Sequence, residues 1–143
     1  MKIVMMLLFL GAAAAGFAEN ALESQAKAFQ PPADQANLYV ARKSETFGAL
    51  VGFQVLIDGT PVAELKGGTF AFARVPPGTH KIEIHAGISA VSVEVKAAAG
   101  KNVFYETGAK PNTALLQPEI SLVLLEPLGK LMVSQSKLAP GAP

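Results

Sequence analysis

From Asn37 onward, apolar and polar positions alternate with a period of two, the spacing of strands that bury one face. Leu38–Arg42 reads as a first strand. Phe53, Val55 and Ile57 alternate with Gln54, Leu56 and Asp58 and read as a second. Asp58-Gly59 is then a turn dipeptide of hairpin type. Pro61–Leu65 returns as a short strand, and Pro61 suits its first residue or a sheet edge because proline cannot donate to a ladder. Lys66-Gly67-Gly68 turns again. Thr69–Val75 predicts a strand with Phe70 and Phe72 on one face and Ala71 and Ala73 on the other. Pro76-Pro77-Gly78 is a turn in which proline fixes φ and glycine accepts positive φ. Thr79–Ala86 and Ala90–Lys96 follow as strands, the latter with Val91, Val93 and Val95 inward. Ala97–Gly100 is a turn, and Lys101–Thr107 and Glu119–Glu126 complete the set. The last is apolar on both faces, which predicts a central or covered position.

About seven to eight short strands at near-regular spacing predict an all-β fold, a single antiparallel β-sandwich of Ig-like or prealbumin-like type. No strand pattern is followed by a long amphipathic helix, so a βαβ architecture is not expected. Residues 19–36 read as a surface lead-in with a short helix at Ala21–Ala28, stopped by Pro31-Pro32. Residues 37–138 form the predicted sandwich domain. Within it, Leu128, Leu131, Met132 and Leu138 suit a short C-terminal turn packed on the core. Residues 139–143 (APGAP) read as a disordered tail.

The first 18 residues stand apart. Lys2 is followed by the apolar run Ile3–Leu10, by small residues, and by Gly16-Phe17-Ala18 ahead of polar Glu19-Asn20. This is the layout of a cleaved secretory signal peptide, residues 1–18, and the run is shorter than the roughly 20 residues a membrane span needs. The expected address is therefore export to the periplasm or beyond. No cysteine occurs anywhere in the chain, which excludes lipidation after the apolar run, disulfides, thiolate metal sites and cysteine nucleophiles. The chain carries 12 basic and 11 acidic side chains, scattered singly. Loss of Lys2 with the signal leaves a formally neutral chain. No basic stripe is available to hold a phosphate backbone, so nucleic acid is not an expected partner.

Four segments together carry a family resemblance: PPADQANLYVAR (Pro31–Arg42), FQVLIDGTPVAEL (Phe53–Leu65), GGTFAFARVPPGTHKIEIH (Gly67–His85) and VEVKAAAGKNVFYE (Val93–Glu106). A proline-led entry, an LYVxR strand, a V-x-[IV]-D-G-x-P-V hairpin and a PPG-x-H turn resemble the bacterial domain of unknown function 2846 family. The middle part also resembles PEGA-type modules. The resemblance extends over Pro31–Glu126 and implies an exported, often lipidated protein with no established activity and no catalytic residues. Lacking the lipid-bearing cysteine, this chain is expected to be a soluble form.

Strand parity places His80 with Ile82, Ile84 and Ala86 on one face, and His85 with Lys81 and Glu83 on the other, so the two histidines cannot chelate one metal from this strand. His80 is expected near the core edge, bonded to the Pro76–Gly78 backbone, and His85 exposed. No cofactor and no metal site is expected. No nucleophile elbow, phosphate loop or His-Glu-x-x-His motif occurs. Arg42 and Arg74 each end a strand, where a solvated end or surface ion pair competes with a role in holding a partner's carboxylate. The loop Lys43–Gly52 is unusually apolar, with Phe47, Leu50 and Val51, and reads either as a lid over the core or as a contact surface. Ala109–Gln117 is a second apolar loop, carrying Leu115-Leu116. The residues singled out for partner contact are thus Phe47, Leu50, Val51, Arg42, Arg74 and His85.

Two function classes follow. The first is a non-catalytic binding or structural module of the cell envelope, with an envelope protein or polymer as partner. The second is an envelope-polymer hydrolase whose residues come from distant strands. It requires a histidine within reach of both a nucleophile and an orienting acid. Carbohydrate binding is a weaker third, since the chain has no tryptophan and its two tyrosines, Tyr39 and Tyr105, fall inside strands.

Overall fold

The computed structural model describes residues 21–44, 51–112 and 117–141. The predicted signal peptide therefore lies outside the described residues. Nine strands are described: β1 (Ala36–Arg42), β2 (Phe53–Ile57), β3 (Thr60–Leu65), β4 (Thr69–Val75), β5 (Gly78–Ala86), β6 (Ser89–Ala97), β7 (Asn102–Asn112), β8 (Gln117–Leu124) and β9 (Lys137–Leu138). A helix, α1, covers residues 21–27. A second short helix, α2, covers Gly129–Ser134. The strands form two packed sheets, of five (β8-β7-β1-β4-β9) and four (β3-β2-β5-β6).

The chain crosses between sheets repeatedly, and the turn chemistry shows how. At Pro76-Pro77 two successive residues lack a backbone N–H, so β4 cannot continue its ladder, and β5 starts in the other sheet. Gly78 takes φ 133°, a backbone suited to glycine. Asp58 and Gly59 both have positive φ, 51° and 82°, as a tight hairpin turn between β2 and β3 requires. Pro61 lies on edge strand β3, where the register shifts.

The five-stranded sheet corrects the expectation of an antiparallel sandwich. β1 pairs antiparallel with β4 but parallel with β7, and β4 pairs parallel with β9, so this sheet is mixed. The four-stranded sheet is antiparallel throughout. Parallel pairing needs a long crossover, and β2 to β6, all outside β1–β7 contact, supply most of it.

The main core lies between the sheets. Leu38 and Val40 from β1 meet Phe53, Val55, Leu65, Ile82 and Ile84 from the other sheet, all nearly or fully buried. The opposite parity of the five-stranded sheet is buried as well. Tyr39, Phe70 and Phe104 are buried on its outer face under Ala26 of α1 and Val133 of α2, with Phe29, Phe72 and Met132 packed alongside. Tyr39 and Phe104 stack with centroids 4.8 Å apart. All seven residues of β1 are consequently buried.

This second core corrects three expectations. The lead-in is not only surface, since α1 places Ala26 in the core. In the C-terminal turn, Val133 and Gly129 face inward, while Leu128 and Leu131 remain 57% and 55% exposed. The doubly covered strand is β1. β8, expected to be central or covered, is an edge strand with Val123 and Leu124 more than half exposed. The tail is tied down as far as Gly141. The Ala139 N–H donates to the Phe70 carbonyl at 2.8 Å, Ala139 is buried, and Gly141 bridges to Ala63. The predicted loop Ala109–Gln117 instead extends the β7–β8 hairpin, with Ala109 to Asn112 in β7 and Gln117 in β8, and Leu115-Leu116 lies outside the described residues.

Candidate functional site

The two histidines separate as strand parity requires. His85 lies on the exposed face of β5, with its Nε2 3.4 Å from Glu83 Oε2. His80 starts the inward face, and its side chain is 10% exposed. Its Nε2 lies 2.7 Å from the Pro76 carbonyl, the backbone bond expected from the sequence. Its Nδ1 lies 2.6 Å from Asp58 Oδ2, a partner the sequence did not indicate. Asp58 read as turn chemistry alone. It is delivered to His80 by the antiparallel β2–β5 register, which pairs Ile57 with Ile82 and so sets Asp58 against Lys81, next to His80.

Asp58 is held there by the backbone. Its Oδ1 accepts from the Lys81 N–H at 2.8 Å, and its own N–H donates to the Lys81 carbonyl at 2.8 Å. The bond to Asp58 raises the His80 pKa above its ordinary value of 6.5, with desolvation opposing and the Pro76 carbonyl assisting. The bonds to His80 and to the Lys81 amide lower the Asp58 pKa. This histidine thus has an orienting acid on one nitrogen. On the other nitrogen, where an acyl-transfer triad would hold a serine hydroxyl, it has a main-chain carbonyl.

Arg42 is not a surface residue. It is fully buried, its guanidinium lies 3.7 Å from the Phe53 ring centroid, and its Nη1 donates to the carbonyls of Val51 (2.6 Å) and Leu65 (3.1 Å). Burial makes it a connector between the sheets and withdraws it as a partner contact. Its planar, polydentate head suits several carbonyls at once. Arg74 is half-buried. Its Nε donates to Asn37 Oδ1 at 3.2 Å and its Nη2 to the Gln30 carbonyl at 3.4 Å, which ties β4 to the N-terminal segment. Val51 is 41% exposed, whereas Phe47 and Leu50 lie outside the described residues.

Ile88 is the exposed apolar residue that sequence reading passed over. It sits in the turn between β5 and β6, after Gly87 with φ 63°, and is 92% exposed. The signal was present: an isoleucine occupying a hairpin turn has no core to enter. β2 begins and β5 ends at the same end of their sheet, so Val51, His85 and Ile88 share that end.

A cleft of about 390 Å³ opens beside the outer aromatic core, lined by Asn102, Phe104, Leu125, Glu126, Pro127 and Lys130. Asn102 Nδ2 donates to the Phe29 carbonyl at 3.0 Å, and its Oδ1 is buried with no hydrogen-bond partner among the described residues. Tyr39 and Tyr105 are both buried, so neither offers a platform to a sugar ring. Among the described residues, no cluster of three or more histidines and carboxylates is placed to hold a metal, and no helix is long and apolar enough to cross a membrane.

No curated protein matches the chain. A family model described as "Protein of unknown function (DUF2846)" matches residues 32–117, from the proline-led entry to the start of β8. That match takes in β1 to β7 and every residue of the His80–Asp58 and Arg42 arrangements, more than half of the sequence, and the chain belongs to the DUF2846 family.

Proposed function

We propose that this protein is an exported, non-catalytic binding or structural module of the bacterial cell envelope, periplasmic or secreted. The observation that carries the non-catalytic reading is the commitment of both His80 nitrogens, one to Asp58 and one to the Pro76 carbonyl. A general base needs a nitrogen aimed at the proton it takes, and each His80 nitrogen faces an oxygen of the protein itself. Arg42, the other side chain with strong recognition chemistry, is likewise spent on main-chain carbonyls. Surface chemistry then favours binding. Ile88 and Val51 project at one end of the four-stranded sheet, and exposed apolar side chains on a rigid two-sheet frame suit a partner surface.

The test uses the full chain in a bacterial host, with a photo-crosslinking residue at position 88. The expected result is a mature chain beginning at Glu19 in the periplasmic or secreted fraction, crosslinked to a second envelope component. Ile88→Ser should weaken that association without moving the melting curve. Retention of Met1 in a membrane fraction overturns the exported soluble reading. Release of envelope-polymer fragments that His80→Gln abolishes overturns the non-catalytic one.

A further inference from the structure

The His80 ring lies between two oxygens. One belongs to a carboxylate, at 2.6 Å, and the other to a main-chain carbonyl, at 2.7 Å. Both are acceptors, so each contact is a hydrogen bond only if the ring nitrogen facing it carries the hydrogen. A neutral imidazole has one N–H and one lone pair. Whichever tautomer it took, one nitrogen lone pair would face an oxygen lone pair at hydrogen-bond distance.

We infer that His80 is a proton-operated latch: as the imidazolium it clips the β2–β3 turn and the β4–β5 crossing to the start of β5, and as the neutral ring it releases one of them. Pro76 is only four residues before His80, whereas Asp58 is 22 residues away in sequence. Asp58 stands at the β2–β3 turn, Pro76 in the crossing between sheets, and His80 on β5 itself. Loss of one proton therefore loosens a junction between the sheets, and not a single surface side chain.

The charged surroundings leave Asp58 as the controlling group. On β5, Lys81 and Glu83 lie on the opposite parity and approach each other at 3.8 Å. On β6, Glu94 and Lys96 flank Val95, the residue opposite His80, and are exposed on that outer face. On β4, Arg74 is bonded to Asn37 and Gln30. From β8, Glu119 pairs with Lys110 at 3.3 Å.

The sign follows from linkage. The folded His80 pKa is raised, so its contribution is fully present below the unfolded value of 6.5 and is lost as pH rises through the folded value. The folded Asp58 pKa is lowered, so its contribution is present above the unfolded value of 3.8 and is lost as pH falls through the folded value. The latch is closed between those limits and opens on the alkaline side.

Nitrogen-15 NMR of the wild-type protein reads the ring directly. At pH 6 both His80 nitrogens should carry hydrogen, and the ring should titrate with a midpoint above 6.5. The backbone amides of Asp58, Gly59 and Gly78 should shift with that same midpoint. In Asp58→Asn, where asparagine tolerates the positive φ of this turn, the ring midpoint should fall below the wild-type value. A neutral single-tautomer ring at pH 6 overturns the latch. So do turn amides that do not move with the ring, or a midpoint indifferent to Asp58→Asn. All arms need only the folded protein, so they stand apart from the envelope reading.

Discussion

The Tyr39 hydroxyl donates to the Ala26 carbonyl at 2.6 Å and binds a helix that precedes the first strand to the centre of the five-stranded sheet. Asn37 Nδ2 donates to the Tyr39 hydroxyl oxygen at 3.3 Å, and Phe104 stacks on the ring. Burial pushes the phenol pKa up to about 12.

Tyr39→Phe keeps the ring and removes the bond. The Ala26 carbonyl then keeps only the Phe29 N–H at 3.2 Å, and buried Asn37 Nδ2 loses the oxygen it donates to, at a cost of about 1–3 kcal/mol, visible as a lower urea midpoint. The pH profile should change too. A raised folded pKa means that ionisation favours the unfolded chain, so the wild-type loses stability as pH rises from 10 toward 12. Thermal melts over that range should fall less steeply for Tyr39→Phe.

Arg42→Lys preserves charge and most of the length, and should still destabilise. An ammonium cannot lie flat over Phe53 while donating to the Val51 and Leu65 carbonyls. One abandoned buried carbonyl costs about 1–3 kcal/mol. A chemical denaturation curve identical to the wild-type would show that the guanidinium is not a connector.

Gly129 lies against Phe104. A Cβ at this position would stand 2.3 Å from Phe104 Cγ. Gly129→Ala should therefore displace Phe104 from its stack with Tyr39, at about 1–3 kcal/mol for an overpacked core. Near-ultraviolet circular dichroism and melting should change together.

Gly78 differs from Gly129 in mechanism. Nothing lies within 4 Å of a Cβ built on it, so space is not the constraint, but its φ is 133°. Gly78→Val should cost about 1–3 kcal/mol through backbone strain alone. Lys81→Ala, on the exposed face of β5, should stay within about 0.5 kcal/mol of the wild-type. Equal melting temperatures for the two variants would contradict this account of the crossing.

Local chemistry was legible in the sequence. The Asp58-Gly59 turn, the position of Pro61 and the parity of Phe70 and Phe72 against Ala71 and Ala73 all stand as read. What the alternation could not show is which strand lies beside which. Placement of β1 between β4 and β7 needs contacts distant in sequence, and so does the cover of α1 and α2 on the outer face. Of β1 and β8, only β8 read as apolar on two faces, yet the helices lie over β1 and β7 and leave Val123 of β8 exposed. Arg42 misled for a related reason. An arginine at a strand end is usually solvated, and its burial depends on Phe53 and Leu65, which arrive from the other sheet. His80 was half legible, because Pro76 is local and Asp58 is not.

The parallel pairing of β1 with β7 bears on how quickly this chain can reach its native state. β1 finds its antiparallel neighbour β4 after a moderate excursion, but its other neighbour begins 65 positions further along, Asn37 against Asn102. Closing so long a loop costs entropy before any ladder bond repays it, and topologies dominated by distant pairings fold slowly. Until β7 docks, β1 has an open side edged with Leu38, Tyr39 and Val40, a segment suited to pairing with another chain. A polar substitution on β7 that leaves the finished fold intact but delays docking would thus appear first as aggregation during refolding, and only later, if at all, as lost stability.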